Sequence, residues 1–323
     1  MSGTDAGYSI PMKGQTLWLF GDVFLLDPLS PAKKHVGAVS NCALLVPSGS
    51  GVAPLGRHRF LVDSNTGLAR QVITPILGET PGFRFWPFGG WYSAADNCVY
   101  LYYARIRVTG SGPLDFKIDG HGLAYADAAV RENIRFTRLP ATSKALLWWT
   151  TEGGAPLFGS AVVANCPGEY LYVVGVQERN GRKFGKLARV LKRRIRDASA
   201  YEVFTGTNPP GWSRDIKLAA DVEGLTDFPN ELSVAYNPYL GGYLAVHSVG
   251  ISESVRLSLA PNPWGPFKTI GEIGTPRRAF TQAFCYAGKE HPELAEDRGR
   301  IIYVTYVDSG RYWLQLLTVT LRK

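Results

Sequence analysis

Five apolar segments of similar composition recur along the chain at intervals of roughly 60 to 80 residues, the kind of spacing that marks a repeated structural unit. Each segment has the length and the β-branched and aromatic content of a strand, and an interval of this size holds a four-stranded propeller blade with its loops. The repeat therefore predicts an all-β fold, a single five-bladed β-propeller over residues 1–323. The segments are "LWLFGDVFLL" from Leu17, "VYLYYARI" from Val99, "LYVVGVQ" from Leu171, "YLAVHSVG" from Tyr243 and "IYVTYVD" from Ile302.

Short polar turns separate paired strands within this repeat. In "AYNPYLGGYLAV", Asn237-Pro238 and Gly241-Gly242 lie between two alternating runs, and "AADNCVYLYY" and "VANCPGEYLYV" have the same organisation. Turns of this composition join antiparallel hairpins. No linker rich in serine, proline or like charges divides the chain, so we expect one domain.

Charge and hydropathy argue against two classes of partner. No apolar run reaches the ~18 to 20 residues that a membrane-spanning helix needs, and the first residues lack the charged segment and apolar run of an export signal. The net charge is +8, but the densest basic stretch, Lys186 to Asp197, lacks interleaved aromatic residues for stacking on bases. We therefore predict neither a membrane nor a nucleic-acid partner.

The cysteines and histidines show no metal-ligand spacing. The cysteines form no CxxC pair, and four of the histidines are isolated from one another. We therefore predict no metal and no cofactor from these residues, which are Cys42, Cys98, Cys166, Cys285, His35, His58, His121 and His247.

Two acidic residues flank the first predicted hairpin, "GTDAGYSIPMKGQTLWLFGD". Lys13-Gly14 lies midway between two β-prone runs, and glycine supplies the positive φ of a tight turn. With these two residues at the centre of the turn, Asp5 lies opposite Asp22. Two close carboxylates titrate separately, so one is able to hold a proton while the other is ionised, as acid/base catalysis requires.

A turn one residue longer gives a different register for the same hairpin. Asp5 is then a frayed terminal residue and Asp22 caps a loop. The setting of Asp22 argues against this alternative, because a charge directly after the apolar run "LWLFG" is costly unless it faces a cleft or a partner. In a propeller, the inner strands line a central channel where such a cleft exists.

Several motifs together resemble a known family. The first hairpin is followed in order by "FWPFGG", "LFGSAVV", "LARV", "NELSVAYNPYLGGYLAVHS", "PNPWGPF" and "KEHPEL". In this respect the chain resembles the domain-of-unknown-function 4185 family, five-bladed propellers related in architecture to furanosidases and arabinanases. Some members look like glycoside hydrolases that cleave D-arabinan. The resemblance implies that Asp5, in "TDAGYS", and Asp22, in "LFGD", are the catalytic carboxylates.

The resemblance also bears on location. Members of the family carry a leader or further residues before the first motif, whereas four residues precede Asp5 here. An extracellular protein is expected if a leader has been removed from the recorded start, and we expect a monomer.

Three residues of a single loop and one strand-end acid are candidates for substrate binding. Arg84, Trp86 and Trp91 lie in "FRFWPFGGWYSAADN", and aromatic rings stack on the C–H faces of sugars, although most propeller tryptophans belong to the core. Glu231 in "PNELSVAYN" begins an apolar strand, where it either points into a central cleft or caps the turn.

Two more residues complete the predicted substrate-binding set. Glu152 in "WWTTEGGAPLFGS" is a candidate third carboxylate. His291 in "GKEHPEL" belongs to a stretch that matches the family, although a lone histidine is more often structural.

The predicted function is hydrolysis of a glycosidic bond in an arabinose-containing polysaccharide by a carboxylate pair. One alternative is a non-catalytic propeller that binds a glycan or a protein, since a fold does not determine a function. The other is a different carbohydrate-active enzyme such as a polysaccharide lyase, which the basic net charge favours if the glycan is acidic.

Overall fold

The computed structural model describes residues 1–76, 79, 82–112, 115–140, 146–207, 209–275 and 284–323. Regular structure in these residues consists of β-strands and short 3-10 helices, without any α-helix, so the all-β prediction is confirmed. None of the helices in the described part of the chain has the length and apolarity to cross a bilayer. The 3-10 helices are Ala53–Arg57, Ala128–Asn133, Glu152–Gly154, Lys192–Arg194, Ala198–Ala200, Ile216–Leu218, Pro292–Leu294 and Asp297–Gly299.

Five antiparallel sheets follow one another along the described chain, each with its strands hydrogen-bonded in sequence order. This is the organisation of a five-bladed β-propeller, as predicted. The first sheet contains β1 (Gly3–Met12), β2 (Gln15–Leu26), β3 (His35–Pro47) and β4 (Arg59–Phe60), and the second contains β5 (Phe83–Ser93), β6 (Cys98–Val108), β7 (Phe116–Asp127) and β8 (Thr137–Leu139).

A two-residue strand, β9 (Trp149–Thr150), precedes the remaining three sheets. The third sheet contains β10 (Leu157–Val163), β11 (Tyr170–Arg179), β12 (Arg182–Leu191), β13 (Glu202–Thr207) and β14 (Pro210–Ser213). The fourth contains β15 (Ser233–Asn237), β16 (Gly242–Ser248), β17 (Ser254–Ala260) and β18 (Lys268–Gly274), and the fifth contains β19 (Cys285–Glu290), β20 (Ile301–Asp308) and β21 (Trp313–Thr320).

The five recurring apolar segments are the second strands of the five sheets: β2, β6, β11, β16 and β20. These strands are buried on both faces over most of their length, and β16 is buried throughout. A strand that is covered on both faces requires a nearly continuous apolar run rather than an alternating one. This burial is the physical origin of the sequence repeat.

The chain divides into two compact units. Unit 1 comprises Met1–Trp148 and Tyr312–Leu314, and unit 2 comprises Trp149–Arg311 and Gln315–Lys323. Unit 1 therefore contains β1 to β8, and unit 2 contains β9, the third and fourth sheets and most of the fifth. The sequence prediction of a single domain stays a prediction.

Each unit has its own packed interior. In unit 1, the buried Arg138 pairs with Glu79, and its guanidinium lies 4.2 Å from the ring centroid of Phe85 in β5. In unit 2, one apolar cluster joins the fourth and fifth sheets and contains Leu244, Val246, Val255, Leu257, Ile302, Val304 and Leu321. These interiors hold the strands that carry the candidate residues.

Candidate active site

The first hairpin forms around Lys13-Gly14, as predicted, with Met12 paired to Gln15 and Gly14 at φ 79°. The predicted register continues to Tyr8, which pairs with Leu19. Beyond this point the prediction that Asp5 faces Asp22 is wrong, because β1 contains an extra residue at Gly7. Asp5 pairs instead with Gly21.

A second irregularity compensates for the first. Asp22 is the extra residue of β2, so the original register returns where Thr4 pairs with Val23. Two residues of β2, Gly21 and Asp22, thus oppose the single residue Asp5, which is the arrangement of a β-bulge. The two acids are neighbours across the hairpin through paired bulges and not through direct opposition.

The bulge in β1 directs the Asp5 side chain. Ala6 has φ 60° and Gly7 has φ 96°, two consecutive residues in the left-handed region. This backbone places the amide N–H of Ala6 2.5 Å from Oδ1 of Asp5, to which it donates a hydrogen bond. Backbone strain of this kind is concentrated where a side chain must be aimed.

Tyr312 supplies a second donor to Asp5. Its hydroxyl lies 3.3 Å from Oδ2 of Asp5, and its carbonyl oxygen accepts a hydrogen bond of 2.8 Å from the amide of Thr4. The ring of Tyr312 packs against Phe24 with a centroid distance of 5.1 Å. Asp5 therefore has a hydrogen-bond donor on each of its carboxylate oxygens.

Asp22 is largely shielded from solvent. Its side chain is only 15% exposed, and Oδ2 accepts a hydrogen bond of 2.9 Å from the guanidinium of Arg84, which is 47% exposed. Burial raises the pKa of Asp22 above its ordinary range, although the nearby charge of Arg84 and the indole of Trp86 act in the opposite direction. Asp22 therefore retains a proton at higher pH than an ordinary aspartate does.

Trp86 connects the two acids. A Cβ atom built on Gly21 would lie 3.5 Å from Cδ1 of Trp86 and 3.9 Å from Cβ of Asp5, so the indole and Asp5 meet over Gly21. The indole of Trp86 also lies beside the carboxyl of Asp22, whose pKa it acts to lower. The indole also packs edge to face against Phe116, with a centroid distance of 4.8 Å. The structure thus brings four of the predicted site residues together in unit 1: Asp5, Asp22, Arg84 and Trp86.

The prediction that Arg84, Trp86 and Trp91 lie in a loop is wrong, because all three lie in the strand β5. Trp91 is at the opposite end of this strand. It is five residues from Trp86 and beside the turn to β6, where its ring stacks on Tyr100 with a centroid distance of 5.8 Å and an interplanar angle of 15°. The structure does not bring Trp91 to the carboxylates.

Unit 2 contains the other three predicted residues. Glu231 lies two residues before β15, and its carboxylate accepts a hydrogen bond of 3.2 Å from the amide of Asn230. Glu152 is exposed at the start of a 3-10 helix before β10. Glu231 is thus at a strand end, as predicted, with a local hydrogen bond of the type expected for a turn cap.

His291 is completely buried at the end of β19. Its Nε2 lies 2.7 Å from the hydroxyl of Thr305, and its Nδ1 lies 3.9 Å from Oε1 of Glu293. Burial, followed by the charge of Lys289, lowers the pKa of His291 well below its ordinary range, so the ring is neutral. These contacts are those of a structural histidine.

Sequence reasoning missed Gly21 and Tyr312. Gly21 pairs with Asp5 and lies beside the Trp86 indole, where a Cβ would be at ordinary contact distance. Tyr312 is 307 positions from Asp5 in the chain, so no local motif connects the two residues. No cluster of three or more histidine, cysteine or acidic side chains suited to a metal ion occurs within the described ranges.

The fold and this site define a class of protein: a five-bladed β-propeller with a carboxylate pair on its first sheet. The chain belongs to the family described as "Domain of unknown function (DUF4185)", which matches residues 1–318. The family inferred from the sequence motifs is thereby confirmed. No curated protein matches the chain.

Solved structures share the fold. A GH43_1 enzyme from Xanthomonas citri complexed with xylotriose has a TM-score of 0.53 at 17% identity, over 99% of this chain and 88% of that chain. The catalytic domain of the GH62 alpha-L-arabinofuranosidase of Coprinopsis cinerea has a TM-score of 0.53 at 10% identity, over 99% and 91%. An exo-beta-1,3-galactanase from Phanerochaete chrysosporium has a TM-score of 0.51 at 10% identity, over 100% and 64%.

Proposed function

We propose that this protein is a glycoside hydrolase that cleaves an arabinose-containing polysaccharide, in the manner of an endo-D-arabinanase, with Asp5 and Asp22 as its catalytic pair. The observation that carries the proposal is the paired bulge, which places two carboxylates of different environment on adjacent strands beside Trp86. The fold that the chain shares with glycoside hydrolases supports the reaction type, and the D-arabinan-cleaving members that its motifs resemble support the substrate class.

The two environments suggest a division of roles. Asp22, whose pKa is raised by burial, donates the proton to the leaving oxygen as the general acid. Asp5, which accepts hydrogen bonds from Ala6 and Tyr312, acts in its carboxylate form on the anomeric carbon, directly or through water. Trp86 offers an aromatic surface to a sugar ring beside the pair.

The test is release of reducing ends from a panel that contains D-arabinan and arabinogalactan. We expect the wild type to cleave a member of this panel, and Asp5→Asn and Asp22→Asn each to lose about 10³-fold or more in kcat while remaining folded. Asp215→Asn, at an exposed turn of unit 2, is the matched control and should keep full activity.

Three outcomes would contradict the proposal. Carboxylate variants as active as the wild type would show that Asp5 and Asp22 are not the catalytic pair, and a product that absorbs in the ultraviolet would indicate an unsaturated sugar and hence a lyase. A panel that is bound without being cut would favour a non-catalytic glycan-binding propeller.

A further inference from the structure

Four aromatic side chains meet at one edge of unit 2, where the third and fourth sheets adjoin. Trp212 of β14 lies 5.8 Å from Tyr172 of β11 and 6.3 Å from Trp264, which is in the turn between β17 and β18. Tyr172 also lies 6.0 Å from Trp264. We call this cluster, with Tyr170, the aromatic edge.

An ion pair is embedded in the aromatic edge. Tyr172 is paired across the sheet with Arg189, and Arg189 with Glu202, so the three side chains share one face. The guanidinium of Arg189 lies 4.3 Å from the ring centroid of Trp212 and 4.4 Å from that of Tyr170, and its Nε donates a hydrogen bond of 2.8 Å to Glu202. The charges of this pair cancel.

The polar atoms of the four rings are unused. Tyr170, Tyr172, Trp212 and Trp264 are all half-buried. Among the residues that the structure describes, their hydroxyl and indole N–H groups form no hydrogen bond, and they are not among the polar atoms sealed away from solvent. Tyrosine and tryptophan with an apolar body and a wet polar tip are typical of binding surfaces.

The cancelled charge of the Arg189–Glu202 pair and the free N–H and O–H donors of the rings limit the kinds of ligand that the aromatic edge can bind. A nucleic acid requires uncompensated positive charge along its phosphates, and Arg189 is already neutralised by Glu202. A sugar chain presents apolar C–H faces to the rings and hydroxyl groups to the N–H and O–H donors. We propose that the aromatic edge is a second binding site of this protein, which holds an uncharged segment of a polysaccharide chain.

This inference rests on the proposed function for the identity of the polysaccharide, whereas its test requires only binding and no hydrolysis. Binding is measured with the full chain carrying Asp5→Asn and Asp22→Asn, so that no substrate is consumed, by retardation in native gels that contain D-arabinan or arabinogalactan. Adding Trp212→Ala and Trp264→Ala should weaken retardation at least about tenfold in apparent Kd.

Matched variants separate binding from folding. Trp212→Phe with Trp264→Phe keeps an aromatic ring at each position but removes the N–H donor and part of the ring surface, so we expect an intermediate loss of binding in a protein that remains folded. Trp148→Ala is the control, because Trp148 is a half-buried residue of unit 1 whose indole N–H donates to the carbonyl of Leu139. In the active protein, the alanine pair should lower turnover of long chains and leave that of short oligosaccharides unchanged.

The proposal is overturned if the folded alanine pair, or the phenylalanine pair, is retarded as strongly as its parent. It is also overturned if the parent is not retarded by any polysaccharide of the panel. Reducing-end release by the wild type is independent of both results, so failure of this site and failure of the proposed hydrolase activity are distinguishable.

Discussion

At the scale of single residues, the candidate site depends on how each carboxylate is held. Asp5 has donors on both oxygens, from its neighbour Ala6 and from the distant Tyr312. Asp22 is mostly buried and is held by Arg84. The two acids are therefore distinguished by their surroundings, although their chemistry is the same.

Tyr312→Phe tests the hydrogen bond that the Tyr312 hydroxyl donates to Asp5. Removal of a donor to the ionised carboxylate favours its protonated form, so we expect the acid limb of the kcat/KM profile to move to higher pH and kcat to fall about tenfold. The measurement is a pH–rate profile on the polysaccharide cleaved by the wild type. Tyr303→Phe, which removes a hydroxyl that donates to Glu296 in unit 2, should leave the profile in place.

Asp22→Asn tests the burial of Asp22 through stability. Because its pKa is raised in the folded protein, the folded state holds this proton more tightly than the unfolded chain, and stability is lost as pH rises from about 4 through the raised pKa. The asparagine variant does not incur this loss. We expect the Tm of the variant minus the Tm of the wild type to increase from about pH 3.5 to about pH 7. A constant difference would contradict the raised pKa.

At the scale of elements, the site is a property of the two bulges in the first hairpin. Without the extra residue at Gly7, Asp5 would not lie opposite Gly21, and without the extra residue at Asp22, the register would not return. Each bulge changes which side chains meet, while the turn at Lys13-Gly14 keeps its position.

Gly7→Ala tests the bulge against a matched turn glycine. Gly7 and Gly14 both have positive φ, so the backbone strain of alanine should cost about 1 kcal/mol at either position. Only Gly7 lies in the bulge that directs Asp5, where a Cβ would also approach Leu314 at 2.9 Å. We expect Gly7→Ala to lose most activity and Gly14→Ala to keep it, measured beside the Tm of each. Equal activity would show that the bulge does not matter for catalysis.

At the scale of the whole molecule, the chain crosses between the two compact units inside β21. Tyr312–Leu314 belongs to unit 1, and the residues from Gln315 onwards belong to unit 2. A strand that contributes to both units, together with the absence of a linker in the sequence, favours joint unfolding.

Calorimetry tests the predicted single domain. We expect one transition in which the calorimetric and van't Hoff enthalpies agree, because β21 contributes residues to both units. Two resolved transitions, or a van't Hoff enthalpy well below the calorimetric value, would show that the units unfold separately. Removal of residues 312–323 should then lower the Tm of the unit that contains Asp5, since Thr4 loses the carbonyl of Tyr312.

The sequence by itself determined the fold class and the turn of the first hairpin. The five second strands are recognisable in the sequence because burial on both faces requires apolar residues at successive positions. Such a run is visible within a single segment. The turn is recognisable because a positive φ favours glycine, which stands at Gly14. The motifs also led to Asp5, Asp22, Arg84 and Trp86, which the structure brings together.

Only the tertiary structure decided how these residues meet. A bulge shifts a register by one residue without a reliable local signal, so the predicted opposition of Asp5 and Asp22 was wrong while their proximity was preserved. The roles of Tyr312 and Gly21 arise from contacts between residues far apart in the chain, and the burial of His291 depends on neighbours from another strand. Long-range packing determines such contacts, and no single segment of the sequence contains them.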